Sequence, residues 1–460
     1  GLAKGISNSD SVAVSDPGNL LRPLKFIQTL GIWLGETHRF EPKYINQTYV
    51  LMGVVAVCLL LGIAWLLRRR AWGVLAFVAI SLATWAFLHK HATTWTDAKL
   101  LVILSPVIVF VALLGAFSVA RARPLEGLAL AAVLVGGVLA SDGLLYHGTN
   151  LAPTQRFEEL GAIGERYAGQ GPTLAPDFEE YSLYLLRGMA VDSPGLAYSG
   201  PFEFVPGVGK LYGHSYDLDN MALQSVERFR TIVMRRSPAW SRPPSNYELV
   251  WKGRYYTVWH RSGPAPLGHL GLGAGFDPSA PPKCATVRQI ARRAEASHGR
   301  LIYASRPENV SVDLATMARS PLVGTSTDLE GRSQLVFVGP GRSEGSFRVR
   351  TAGRYDVWLG GDVDRPLKLL VDGRLLGSPA AQSGDDGTTI HVARVSLSAG
   401  HHSVALLRGG GDLRPDDAGS TVLDGIVLQP LGVERGPVSS IAPSAWRSLC
   451  GRPLDWLEVS

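Results

Sequence analysis

Cysteine is scarce: the chain has three, at positions 58, 284 and 450 of 460. Charge is thin as well, at 18% of residues against 46% hydrophobic, which argues against a wholly soluble protein. The arginines are scattered or flank apolar runs and the net charge is only +6, so nucleic-acid binding is excluded. No G-x-S-x-G elbow and no Ser-His-Asp set appears. GVGKLYG (207–213) lacks the spacing of a phosphate loop and the Ser or Thr after Lys210, and reads as a plain loop. His89, His91 and His147 do not have metal-ligand spacing, so no metal site is read there. A signal-peptide pattern is also missing. The loop-like start at Gly1 suggests the C-terminal part of a longer protein, with a misassigned start codon as the alternative.

Long apolar runs, by contrast, are plentiful between residues 49 and 145. Tyr49–Leu67, Ala71–Leu88, Leu100–Ala120 and Gly127–Leu145 are each about long enough to cross a bilayer as a helix. Arg68, Arg69 and Arg70 lie between the first two runs, and Arg121 and Arg123 between the last two. Basic loops stay in the cytoplasm. Residues 1–48, the loop 89–99 and everything after about 150 are therefore expected outside a plasma membrane crossed several times. In that oxidising setting Cys284 and Cys450 favour a disulfide tying the start of the terminal domain to its end. Two unpaired buried thiols are the alternative, and Cα separation decides. Leu20–Gly35 carries leucines at three- and four-residue steps. It reads either as an interfacial helix anchored by Trp33 or as a helix packed on neighbouring loops.

Four regions follow: an external loop with an interfacial helix (1–48), four transmembrane helices (49–148), an external α/β domain with linker (150–283) and a β-sandwich domain (284–460). In the third, QRFEELGAIGERY (155–167) has helical periodicity and TLAP (173–176) reads as a strand. DFEEYSLYLLRG (177–188) reads as a helix capped by Asp177, and FRTIVMRR, NYELVWKG and RYYTVWHR as strands. The Gly/Pro-rich residues 262–283 read as a linker. In the fourth, a short helix (285–296) precedes strands with period-two alternation at 346–351, 354–361, 367–377, 390–397, 401–408 and 420–429. The pattern suggests a sandwich of jelly-roll type.

Candidate site residues carry two readings each. Lys99 and Asp97, with His91, sit at the outer mouth of the third span, where a lipid-phosphate donor needs a cation. The structural alternative is a Lys99 that snorkels and pairs with Asp97. Asp142, near the end of the fourth span, is either functional or an interface marker. Arg235, Arg236 and Arg242 either face a pyrophosphate or acidic glycan, or brace the Pro-rich loop between two strands. Tyr355 and Trp358 have opposite parity, so one belongs in the core and an exposed one would stack on a sugar ring. The loop acids Asp362, Asp364, Asp385 and Asp386 supply the oxygens that Ca2+ takes, without a spacing that specifies a site.

The run FRVRTAGRYDVWLGG…LKLLVDGRLLG…VSLSAGHHSVALLR…LDGIVL resembles carbohydrate-binding modules of the β-sandwich type, over roughly residues 335–430. GIWLGETHRFEP, WTDAKLLVILSP and FRTIVMRRSPAWSRPPSNYELVWKGRYYTVWHR, with the whole layout, resemble the C-terminal half of actinobacterial membrane glycosyltransferases of the GT-C type. That resemblance implies a polyprenyl-phosphate sugar donor, a cell-envelope glycan acceptor and a catalytic acid in an early external loop not contained in these residues. A non-catalytic, membrane-anchored glycan-binding or envelope scaffold protein is the alternative. A transporter accessory subunit is a third reading.

Overall fold

The computed structural model describes residues 20, 23–89, 91–149, 152–179, 181–196, 200–209, 213–272, 281–327, 333–363, 366–379, 389–410, 415, 420–431 and 438–460. The chain divides after Thr149 into two compact units.

The first unit holds four helices, α1 (Ile45–Arg68), α2 (Trp72–His89), α3 (Thr94–Ala120) and α4 (Pro124–His147), each long and apolar enough to cross a membrane. Side chains do not keep α1 and α3 apart. A Cβ at Gly62 would strike the Val111 carbonyl, and one at Gly115 the Cys58 carbonyl. Small residues let apolar helices approach this closely where no hydrophobic effect drives them together. Helix α2 buries none of its residues. Ahead of α1, among the described residues only Phe26–Leu30 is helical, as a 3-10 turn ended by Gly31 in the left-handed region. The helix expected over 20–35 is thus cut to one turn. Trp33, expected as a headgroup anchor, is 6% exposed. Its backbone N–H donates to Ser141 Oγ and its indole to the Phe40 carbonyl. Ile32 and Leu34 pack with α1, α3 and α4 residues.

The second unit begins with α5 (Thr154–Arg166), β1 (Thr173–Leu174), α6 (Ser182–Leu185), β2 (Val191–Asp192), α7 (Leu223–Val226), β3 (Thr231–Arg235), β4 (Tyr247–Lys252) and β5 (Tyr256–Arg261). The strands form one sheet in the order β2-β1-β3-β5-β4, parallel around β1 and antiparallel beyond β3. The helix expected over 177–188 shrinks to the single turn α6. Asp177 does not cap it: buried, it accepts a hydrogen bond from the Arg235 backbone N–H at 2.6 Å. Arg156, paired with Glu179 at 2.7 Å, is buried beneath the same segment.

Next come β6 (Gly268–Gly271), α8 (Cys284–Ala296) and β7 (Leu301–Ser305), which join β19 (Val438–Ile441) and β20 (Leu454–Val459) from the chain's end. The sheet runs β19-β7-β20-β6, and α8 packs Val287, Ile290 and Ala294 onto it. Residues 268–271, expected within a linker, are drawn into this sheet because β20 offers them backbone partners from Trp456 to Val459. Cys284 at the start of α8 is disulfide-bonded to Cys450, with Cα atoms 5.3 Å apart.

Between these pieces lies a sandwich of β8 (Val310–Val312), β9 (Ala318–Arg319), β10 (Val323–Thr327), β11 (Ser333–Phe337), β12 (Gly341–Val349), β13 (Gly353–Asp362), β14 (Leu367–Val371), β15 (Arg374–Gly377), β16 (Thr389–Leu397), β17 (Gly400–Arg408) and β18 (Thr421–Pro430). One sheet runs β10-β11-β18-β13-β16 with β8 on β18, and the other β15-β14-β17-β12-β9. Phe337, Val357, Leu359, Leu369, Leu406 and Leu423 interdigitate between them. In β13 every residue from Tyr355 to Gly361 is buried, so both faces of this central strand are covered.

Candidate functional site

The outer face of β13 closes a cleft of about 600 Å³ whose opposite wall is the β3–β5 region of the same unit. Position follows from local sequence. Thr231–Met234 are buried strand residues, which places Arg235 and Arg236 at the strand's end. The Pro-rich loop that follows is stapled down: Thr389 donates to the Arg236 carbonyl at 3.0 Å, and Asn309 to that of Pro238 at 3.3 Å. On β13 a bulge between Val357 and Trp358 re-aims the strand. Tyr355 stays in the sandwich core and donates its hydroxyl to the Thr351 carbonyl. Trp358 faces the cleft.

Trp358 does not present an open ring. It is 3% exposed, with the Arg236 guanidinium 5.4 Å from its centroid and the His391 ring edge-on at 5.0 Å. Its indole Nε1 is buried without a hydrogen-bond partner. Arg235, which lines the same cleft at 5% exposure, carries a second such atom, Nη1. An unpaired buried donor costs about 1–3 kcal/mol. Two in one cleft wall mark a place where an acceptor from outside would be stabilising. Trp259 adds a half-buried aromatic surface.

The electrostatics favour donors. Asp356 is held by His391 at 2.8 Å and Arg394 at 2.9 Å. Burial pushes its carboxyl up, but these two hydrogen bonds outweigh it and hold it below the usual range. Arg236 donates to the Gly253 and Arg254 carbonyls, both at 3.1 Å, and burial lowers its pKa from the ordinary value. Arg242, by contrast, is structural. It donates to Asp455 at 3.0 Å and to the Ser305 carbonyl at 3.2 Å.

Asp455 is the centre of a buried network that also takes Arg306. Arg306 reaches Ser241, and Ser241 donates to Asp219 at 2.7 Å. Asp219 contacts His269, whose other ring nitrogen meets Glu458 at 2.8 Å. Burial pulls the His269 pKa down, yet the hydrogen bonds to both acids prevail and raise it to about 9. Asp217 is raised to about 7 by burial first and the neighbouring Asp219 charge second. Sequence reading missed this network, because its members are about 240 positions apart and no local pattern links them.

The residues proposed at the third span separate. Asp97 is buried and bonds His89 Nδ1 at 2.9 Å, not Lys99. Lys99 is exposed and lies 5.0 Å from the Trp95 ring centroid. His91 turns back to the Phe87 carbonyl at 3.1 Å. Two positions along a helix turn by about 200°, so Asp97 and Lys99 cannot share a face. Asp142 is exposed on α4. Of the acids considered for Ca2+, Asp362 ends β13, while Asp364, Asp385 and Asp386 lie outside the described residues. Among the described residues no cluster of three or more His, Cys, Asp or Glu could hold a metal ion.

No protein-family profile matches the chain, and no curated protein matches it. Among solved structures it is similar to the GH26-CBM35 β-(1,4)-mannanase of Podospora anserina, at 16% identity and a TM-score of 0.23 over 28% of this chain and 29% of that one. It is similar to the CBM36-1 domain of a multidomain xylanase from the hindgut metagenome of Trinervitermes trinervoides, at 14% identity and 0.22 over 27% and 98%. A family 35 carbohydrate binding module from Clostridium thermocellum gives 12% and 0.21 over 26% and 96%. The chain thus spans less than a third of the mannanase. The chain's own architecture defines the class: four helices able to span a membrane, and a second unit built around a β-sandwich.

Proposed function

We propose that the chain is a membrane-anchored glycan-binding protein whose ligand occupies the cleft between β13 and the β3–β5 sheet. The observation that carries this reading is the pair of unpartnered buried donors, Arg235 Nη1 and Trp358 Nε1, in the wall of one cavity. A sugar is dense in hydroxyl acceptors, and Trp259 offers a flat apolar surface for the C–H face of a ring. The cleft volume of about 600 Å³ suits an oligosaccharide segment of a few residues. Titration of the full chain in lipid nanodiscs with mannan- and galactan-type oligosaccharides, read by tryptophan fluorescence, tests it. Saturable quenching that Trp259→Ala weakens is expected, and no response to any oligosaccharide sinks the reading.

The finer reading makes the chain the C-terminal portion of a polyprenyl-phosphate-sugar-dependent membrane glycosyltransferase acting on cell-envelope glycan. In such a reaction an acceptor hydroxyl oxygen attacks the anomeric carbon, its proton passes to a carboxylate, and polyprenyl phosphate leaves with the bonding electrons. No described residue of this chain is assigned as that base. The supporting observation is Lys99, an exposed cation beside a tryptophan in the first turns of α3, a placement suited to a lipid phosphate. Release of polyprenyl phosphate from a polyprenyl-phosphate sugar by a longer protein containing this segment, lowered by Lys99→Ala, is the expected outcome. Turnover unaffected by that substitution counts against Lys99.

A further inference from the structure

The cleft is built largely of cations. Arg235, Arg236, Arg242, Lys252 and Arg394 line it, against the single acid Asp356. Arg242 is taken by Asp455 and Arg394 by Asp356. The Asp356 carboxylate is therefore already engaged. Arg236 donates to two backbone carbonyls, and its charge also feels the Asp356 and Glu159 carboxylates. Arg235 keeps its Nη1 unpaired, while its backbone N–H donates to the Asp177 carboxylate. Burial pushes the Asp177 pKa well up from the ordinary carboxylate value.

A neutral sugar would satisfy the donors but leave the excess of cations in the cleft lining unanswered. A ligand with an acid group satisfies both, since an anion accepts shorter and stronger hydrogen bonds from guanidinium than a hydroxyl does. We propose that the cleft recognises an acidic glycan, with a carboxylate or phosphate substituent seated on Arg235 and Arg236 and the neighbouring sugar ring on Trp259. This rests on the glycan-binding reading above and adds the charge of the ligand to it. Lys252 and Trp358 line the same cleft.

The test compares glycans that differ only in charge, using the full chain in zwitterionic nanodiscs. Oligogalacturonate is set against its methyl ester, and phosphorylated mannan against mannan, with inorganic phosphate alone as a further titrant. The acidic forms are expected to bind about tenfold tighter, the size of one charge-assisted contact, and to lose that advantage at high salt. Preference for galacturonate alone assigns a carboxylate, and preference for phosphomannan alone assigns a phosphate. Arg235→Gln should erase the preference and also weaken neutral binding, since its Nη1 is a donor to the neutral sugar as well. Because Arg235 is buried and its loss can disturb folding, Arg394→Gln is the second variant. Arg394 is exposed, and removing it unmasks Asp356, so acid binding should fall severalfold with neutral binding kept. Equal affinity for acid and ester overturns the inference and leaves the glycan site standing. Binding of inorganic phosphate with no glycan bound overturns both.

Discussion

The two units of this chain solve opposite problems with side chains. In the first, Phe77, Ile80 and Phe87 of α2 stand exposed at 56, 65 and 68%, and the helix buries nothing. In the second, Asp455 and Glu458 are wholly buried, and Arg306 nearly so. An apolar surface without cover is tolerated only where the surroundings are themselves apolar. A buried charge is tolerated only where every partner is in place. The first unit therefore takes its stability from backbone contact between small residues and from its surroundings, the second from a network with little slack. Substitutions that change one side chain should reveal the contrast.

Breaking the network should have the largest effect. Asp455→Ala leaves Arg242 and Arg306 buried without their shared carboxylate, and should cost about 3–5 kcal/mol. Thermal unfolding of the full chain, with tryptophan fluorescence as the signal, measures it. A loss below about 1 kcal/mol would mean that water reaches these arginines. Cys284→Ser should follow at about 2–5 kcal/mol, since the disulfide closes a loop of 166 residues. In the first unit the corresponding break is Gly115→Leu, which drives a side chain into the Cys58 carbonyl and should cost about 1–3 kcal/mol. Equal stability of that variant in detergent would show that α1 and α3 can separate freely.

How much of this was legible beforehand varied with the range of the interactions. The four apolar helices and six strands of the sandwich follow from periodicity within one element, and the structure places β12–β18 close to the expected segments. Within 367–377 the Asp372-Gly373 turn splits one expected run into β14 and β15. β7, β19 and β20 were not read, because LIYAS, VSSI and LDWLEV are short and become strands only by pairing with segments over a hundred positions away. That Asp97 would not pair with Lys99 was open to helical geometry, since residues two places apart do not share a face; its pairing with His89, on the preceding helix, was not. The cleft could not be foreseen. Parity correctly separated Tyr355 from Trp358, yet the reason Trp358 is buried is Arg236, 122 positions earlier.

Acidity sharpens the comparison further, since among the described residues the second unit holds the buried network whose protons are displaced from ordinary values. The His269 pKa is raised to about 9 from an ordinary 6.5. Its ion pairs thus add stability that is fully present below about 6.5 and is lost as pH rises through 9. Asp217 is raised to about 7 from 3.8, so the folded state favours its protonated form. That preference is strongest below 3.8 and is lost as pH rises through 7. Both groups make stability fall with rising pH, in two separate windows. His269→Gln should flatten the loss between pH 6.5 and 9 and leave the lower window alone. A pH profile of unfolding identical to that of the unchanged chain would remove His269 from the network.

The smallest effect is expected on the surface of the same unit, at a second hollow of about 490 Å³ near Arg348, Arg350 and Arg354. There Arg350 pairs with Glu308, but the two side chains are 82 and 64% exposed. Water screens such a pair, and holding two long side chains in one geometry costs conformational entropy. Arg350→Ala should therefore shift stability by no more than about 0.5 kcal/mol. Set beside Asp455→Ala, it compares two arginine–carboxylate contacts of one unit that differ in access to water. If the exposed pair proved as costly to break as the buried one, burial would not be what gives the network its weight, and the contrast between the two units would have to rest on packing alone.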